Sequence, residues 1–403
     1  MSIVYTTNSL SSNSIPNIRT LIFDNRWTSL LVLLTIFILY HTITSLRTRS
    51  RILHLGSFAP LAAGFLPFGI DATFRHISCT LRNQDLVFWS WLFAHSPSKA
   101  SPTVECTAAG QRYVFTAHSE NIKAVLATQF DDYGKGEKFH RDWKAFLGNG
   151  IFNTDGDIWH ANRQLLRPQF LKERISDLET YETHVQNLMT RFKDQGEKFD
   201  IAELFYRFTL DVATEFLCGE SVGHLDNPRA TLPEAFNHTA RMQSLITRSG
   251  PFSWFLPRFT LRRSLKIIDS FLEPFVDRVL RSDIKESKET SKTDRSLLRA
   301  LVDSGVRDRS VIRDQFVNIL LAGRDSTAEV LSFLFLELSR HPEVWIKLRK
   351  EVLETIGRDE VPTYQNLKDM TYLRYTINEA LRLYPALPFN VSIIIYVRVS
   401  IDG

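Results

Sequence analysis

The hydrophobic pattern changes character along the chain. Residues 27–46 (WTSLLVLLTIFILYHTITSL) form one uncharged, apolar run. As a helix rising about 1.5 Å per residue it spans roughly 30 Å, the depth of a hydrocarbon core. A second uncharged stretch, 53–70, is interrupted by Gly56, Pro60, Gly64, Pro67 and Gly69. These break a spanning helix, so it reads as a hinge near a membrane surface or as a plain buried loop. From about Thr154 onward a helical period prevails. It predicts amphipathic helices over 176–192, Ile201–Cys218 and 265–281. A helix of about 30 residues without proline follows over 311–340, long enough to cross the whole molecule. His341-Pro342 stops it, and 343–356 and 372–383 read as two more helices. Strands are short, such as 112–115. Segment 96–102 is loop-like, and 283–296 (DIKESKETSKTDRS) is a solvated surface loop. No repeat occurs. The pattern gives one mainly α domain with a minor β part.

Charge and composition narrow the class. The chain has 403 residues, 44% hydrophobic and 12% aromatic, enough for a large core. Lys and Arg number 49 against 45 Asp and Glu, a net charge of +4, too even to argue for nucleic acid. Cys79, Cys106 and Cys218 are widely spaced and make no CxxC, which points to a reducing compartment. Arg47, Arg49 and Arg51 follow the apolar run, against Arg19, Arg26 and Asp24 before it. That bias predicts a single-pass anchor with the body on the cytoplasmic side. The basic cluster follows the run and no small-residue cleavage site is present, which disfavours a signal peptide. A buried soluble helix is the alternative, disfavoured by the length and the abrupt basic flank. The predicted organisation is a lumenal segment over 1–26, an anchor over 27–46, a basic flank and hinge over 47–70, and the helical domain over 71–403.

Candidate chemistry begins inside the long helix, where NILLAGRDSTAEV places Gly323, Asp325 and Ser326 among apolar residues. Glycine in mid-helix lets something approach the backbone closely or lets the helix widen. A neighbouring hydroxyl can bond the carbonyl one turn back. An acid beside an alcohol can relay protons into an apolar pocket. A kinked core helix with Asp325 in a salt bridge explains the same residues. Trp159 and Arg163 (WHANR) lie four apart on one helix face and can donate two hydrogen bonds to an anion, or simply pack as a cation–π pair. Asp155 and Asp157 suit the start of that helix. Glu379 and Arg382 (EALR) also share a face, and a buried pair of this kind is usually architectural. HExxH, a Walker loop and GxGxxG between a strand and a helix are all absent, and the histidines lack zinc spacing.

Taken in this order, WxxxR, AGxDS and ExxR resemble the cytochrome P-450 superfamily. The stretches DWKAFLGNGIFNTDGDIWHANRQLLRPQF, ISDLETYETHVQNLM and FTLDVATEFLCGESV look like its fungal alkane and fatty acid hydroxylase branch. The resemblance covers about Phe68 to Asn390. It implies a P-450-like fold and a haem-thiolate monooxygenase acting on long-chain n-alkanes or fatty acids at the chain end. It also implies haem (iron protoporphyrin), an NADPH-cytochrome reductase as electron donor, an apolar substrate, and the endoplasmic reticulum membrane. Carried over, Trp159 and Arg163 hold a haem propionate. Ala322 and Gly323 flank the oxygen pocket, Asp325 and Ser326 deliver protons, and Glu379 and Arg382 brace the core. Ser326 stands where the family usually has Thr. The family's iron-ligand cysteine follows ExxR, and no cysteine follows Cys218 here. Cys218, within EFLCGES, reads as a buried hydrophobe. The tail 391–403 (VSIIIYVRVSIDG) does not resemble the family's next segment and reads as β-prone and unpartnered. The expectation is therefore a chain truncated before the cysteine loop. A non-catalytic, membrane-anchored remnant or interaction protein is the rival reading.

Overall fold

In a computed structural model the chain is described over residues 26–54, 59–62, 66–96, 102–170, 178–194, 198–227, 231–281, 296–388 and 390–394. The segment 1–25, nearly all of the 283–296 run, most of 96–102 and the tail 395–403 lie outside the described residues.

Two compact units separate by contact. The first comprises the chain up to Ala63, Ser90–Cys106 and Arg112–Phe115. Its main feature is α1, Arg26–His54. The stretch Thr28–His54 has a mean hydropathy of 2.0 and buries none of its apolar window, so it is long and apolar enough to cross a membrane. The helix continues through the basic flank, because arginine is a good helix former and no breaker intervenes before His54. β1 (Thr103–Ala108) and β2 (Gln111–Thr116) form a two-stranded sheet. The sequence pattern found only β2. Arg112 grips Glu105 across the pair, with its Nε 2.6 Å from Oε1 and a second nitrogen 2.7 Å from Oε2.

The second unit carries the helices. In chain order they are α2 (Ile70–Leu81), α3 (Asp85–Ala94), α4 (Ser119–Lys123), α5 (Gly136–Leu147) and α6 (Gly156–Leu166). There follow α7 (Leu178–Asp194), α8 (Ile201–Cys218), α9 (Thr231–Ser249) and α10 (Arg258–Arg281). α11 (Leu297–Asp303), α12 (Arg309–Arg340), α13 (Pro342–Thr355), α14 (Tyr364–Asp369) and α15 (Thr371–Leu383) complete the set. α3 continues into the first unit from Ser90.

Local chemistry sets the ends. Asp200 caps α8 by accepting from the Ala202 and Glu203 amides, and Gly219, with φ 81°, closes it in the left-handed region. Asp308 accepts from the Ser310 amide at 2.7 Å and starts α12. Pro342 sits at the first turn of α13, where its missing N–H costs nothing. α10 begins two turns earlier than its periodicity suggested, because Leu261 and Ser264 extend its buried face and Leu261 packs against α9.

The core forms where α12 crosses α8, α10 and α11. Leu210 and Leu217 of α8, Ile268 and Leu272 of α10, and Phe316, Val317 and Leu320 of α12 are at most 1% exposed. Full burial of each such side chain is worth about 1.5–3 kcal/mol. This is what lets α12 run 32 residues through the unit unbroken.

The start of the tail is not unpartnered. β3 (Tyr133–Gly134) and β4 (Ile393–Ile394) pair antiparallel, Tyr133 opposite Ile394 and Gly134 opposite Ile393. The partner lies far away in sequence, which is why periodicity could not supply it.

Candidate functional site

α12 is buried on both sides of its midpoint and open between. Gln315 to Asn318, Leu320 and Ala328 are buried, whereas Gly323 and Thr327 are exposed and Ala322 and Ser326 half-buried. An open face in the middle of a core helix can line a binding site. A Cβ at Gly323 would meet only the Ala213 Cβ, at 4.0 Å, so crowding by α8 does not require glycine there. The helix stays α-helical across the position; no kink or widening occurs. Ser326 Oγ donates to the Ala322 carbonyl, one turn back, so the expected hydroxyl bond forms without distorting the helix.

Asp325 lies beside the open face and pairs with Arg324 at 3.3 Å. Burial raises its carboxyl above the usual range, and Arg324 opposes the shift. The sequence pattern gave Arg324 no role, yet it is 2% exposed. Its guanidinium donates to Asn237 Oδ1 at 2.8 Å and lies 5.8 Å from the ring centres of both Tyr206 and Phe236. Glu329, one turn beyond Asp325, accepts from the Tyr206 hydroxyl at 3.5 Å. Burial and the Asp325 charge raise Glu329, and burial with the two carboxylates pushes Tyr206 up to about 12. Each of these shifts disfavours full ionisation of the cluster.

Trp159 and Arg163 come together on α6, the Arg163 guanidinium 5.4 Å from the indole centre. Phe130 packs on the same Trp159 at 5.0 Å. Arg163 is exposed, and among the described residues no carboxylate pairs with it and no hydrogen bond engages the Trp159 N–H. Stacking and anion donation are thus compatible: the cation rests on the ring with its donor edge free. Asp155 precedes α6 without capping it. Its carboxylate instead accepts from the Lys135 and Gly136 amides at 2.8 and 2.7 Å, at the start of α5.

A buried polar network, which the sequence reading missed, fixes α6 and its preceding loop against α12. Gln315 donates to Asn162 Oδ1 at 2.7 Å, and Asn162 in turn donates to the Asn149 carbonyl at 2.8 Å. Asn318 donates to the Leu147 carbonyl at 2.9 Å and accepts from the Phe152 amide at 3.1 Å. Asp314 accepts from the Asn149 amide at 2.7 Å. Gly148 and Gly150 make this approach feasible: a Cβ at either would fall about 2 Å from the Asp314 carboxylate or the Asn318 amide. Gln315 lies seven residues before Ala322, roughly 10 Å along the helix, so the network fixes Asn162, the neighbour of Arg163, about two turns from the open face. The signal was present as Asp314, Gln315 and Asn318 in an otherwise apolar run.

Glu379 and Arg382 pair bidentately at 2.8 and 2.6 Å, but on the surface, with side chains 55% and 66% exposed. The opposite face of α15 carries Ala380 into a cluster with Leu334 and Leu338 of α12. The thiols fit an iron ligand poorly. Cys106 is buried in β1, Cys79 is half-buried on α2, and burial pushes the Cys218 thiol far above its ordinary value. Trp159 and Arg163 thus offer donors suited to an anionic group, and the middle of α12 offers an open apolar face. None of the three cysteines fits the axial thiolate.

A family model for cytochrome P450 matches residues 92–403. "Cytochrome P450 monooxygenase pvhE" of Talaromyces variabilis is 42% identical over 381 residues, covering 90% of this chain and 70% of that protein. "Cytochrome P450 52A3-A" of Candida maltosa is 39% identical over 343 residues, covering 80% and 64%. "Cytochrome P450 52A12" of Debaryomyces hansenii is 35% identical over 382 residues, covering 90% and 72%. This chain thus spans roughly two thirds of the length of such relatives, from 64% to 72% for these three.

Proposed function

The chain belongs to the cytochrome P450 family, and on that premise we propose that it serves a haem-thiolate monooxygenase hydroxylating long-chain n-alkanes or fatty acids at the chain end. The carrying observation is the open central face of α12, with Asn162, the neighbour of Arg163, fixed about two turns from it by the link to Gln315. Haem, when bound, supplies the oxygen-activating chemistry.

The chain's own residues do the rest. Arg163 and the Trp159 N–H would hold a haem propionate. Ala322 and Gly323 present a wall without bulk. Burial raises the Asp325 carboxyl and so eases its taking up a proton, and Ser326, the next residue, would relay that proton toward the open face by releasing its bond to the Ala322 carbonyl. Arg324 and Asn237 keep that carboxyl in place. Glu379 and Arg382, expected to brace the core, form an exposed pair within α15 and reach no other element among the described residues. The apolar α1 anchors the body on the cytoplasmic side of the endoplasmic reticulum, within reach of an NADPH-dependent reductase.

The test is a carbon monoxide difference spectrum and a hexadecane or palmitate assay on the full chain purified in detergent, with an NADPH-dependent reductase added. A Soret band typical of thiolate-ligated haem with terminal hydroxylation is expected. Haem bound without that band, or no haem, overturns this reading and favours the non-catalytic anchored protein.

A further inference from the structure

A groove open to solvent lies away from the open face of α12, between the loop after α8, the start of α9 and one side of α10. Its volume is about 640 Å³, inside the roughly 300–1,000 Å³ range of small-ligand sites. α10 builds most of it. Its core stripe runs through Leu261, Ile268, Leu272 and Val276. The adjoining stripe faces the groove: Arg263 and Lys266 at one end, then Ile267, Phe271 and Phe275. Leu232 of α9 closes the apolar side.

Charge is distributed unevenly along this groove. At the Phe275 end, Arg278 lies 5.5 Å from the ring centre and is neutralised by Glu220 at 3.2 Å. At the other end Arg263 and Lys266 are exposed, and no carboxylate pairs with either among the described residues. Arg278 and Arg281 of α10 each pair with an acid, whereas Arg258 and Arg262, like Arg263 and Lys266, have no carboxylate partner among the described residues; of these four only Arg263 and Lys266 line this site. A groove with an apolar, aromatic wall and two uncompensated cations at its mouth fits an anionic head on a single apolar chain.

We propose that this groove is a second binding site, for a free long-chain carboxylate, with the carboxylate on Arg263 and Lys266 and the acyl chain along Ile267, Phe271 and Phe275. It is separate from the proposed reaction site and does not depend on haem. The volume accommodates one chain, which favours a free fatty acid over a two-chain phospholipid.

The experiment uses the full chain in detergent micelles with a diazirine-bearing palmitate, photolysed and mapped after trypsin. Cleavage after Lys266 and Arg278 isolates residues 267–278, and cleavage after Arg324 and Arg340 isolates residues 325–340. The expected result is label on 267–278, displaced by palmitate but not by methyl palmitate. R263K/K266R, which shifts no tryptic boundary, keeps the label, and R263E, which leaves the Lys266 cleavage intact, lowers it at least tenfold. These exposed positions leave the core untouched, and an unchanged circular dichroism melt checks that. Equal labelling in R263E, or equal competition by the methyl ester, overturns the proposal. So does labelling only by a diazirine-bearing phosphatidate in vesicles, which assigns the cations to a bilayer lipid. Label on 325–340 reports the proposed reaction site, so failure of one site is read separately from failure of the other.

Discussion

Asn318→Ala tests whether the network between α12 and the loop before α6 sets the geometry of the site. Asn318 is fully buried. Its amide donates to the Leu147 carbonyl, and its carbonyl accepts from the Phe152 amide. Truncation takes the Phe152 amide's partner away and leaves the Leu147 carbonyl with the Gly150 amide alone, at 3.1 Å. Neither group is orphaned in a dry site: the carbonyl keeps one bond and the Phe152 amide is partly reached by water. Each loses the net worth of one bond, about 1 kcal/mol. The expected loss is therefore about 2 kcal/mol, roughly thirtyfold in the folding equilibrium. Two measurements check it: the urea midpoint of the full chain in detergent, and amide hydrogen exchange across residues 148–163. The network predicts faster exchange at Phe152 and through α6, with the α9–α10 amides changing only as much as the global stability does. A loss below about 1 kcal/mol, or unchanged exchange through α6, refutes the argument that this link fixes Asn162, the neighbour of Arg163, relative to the open face.

Further outcomes follow from other contacts. Asp155→Ala removes the carboxylate that caps α5 and is expected to cost about 1–2 kcal/mol, read from a circular dichroism melt. Arg324→Met leaves Asp325 beside a hydrocarbon and should cost about 3 kcal/mol; adding Asp325→Asn should recover part of it, and no recovery would show that the two do not act as a pair. Asp325, Glu329 and Asp314 all bind protons more tightly folded than unfolded, because burial raises them. The folded chain thus carries the extra protons between the ordinary carboxyl range and the raised values, and stability falls as pH rises through that window. Asp325→Asn should flatten the fall in urea midpoint against pH, whereas an unchanged slope would count against burial as the cause. Asn237-His-Thr and Asn390-Val-Ser are glycosylation sequons, and a body facing the cytosol leaves both unused, so endoglycosidase should leave electrophoretic mobility unchanged; a shift would overturn that orientation.

The sequence by itself determined the elements whose signals are local. The apolar run up to Leu46, the helix stopped at His341-Pro342, and the spacings that bring Trp159 to Arg163 and Glu379 to Arg382 all follow from one helical period. The tertiary structure decided what each pattern faces. Glu379 and Arg382 pair as spacing requires, but on the surface, because Ala380 takes the inner face of α15. Gly323 was legible as an oddity in a core helix, but only the packing of α8 shows that it borders open space rather than a crowded crossing. Arg324 and Asn237, Gln315 and Asn162, and β3 and β4 are partners far apart in sequence. No periodicity encodes such pairs. Each exists because a polar group taken from water must find whatever the fold brings within about 3 Å.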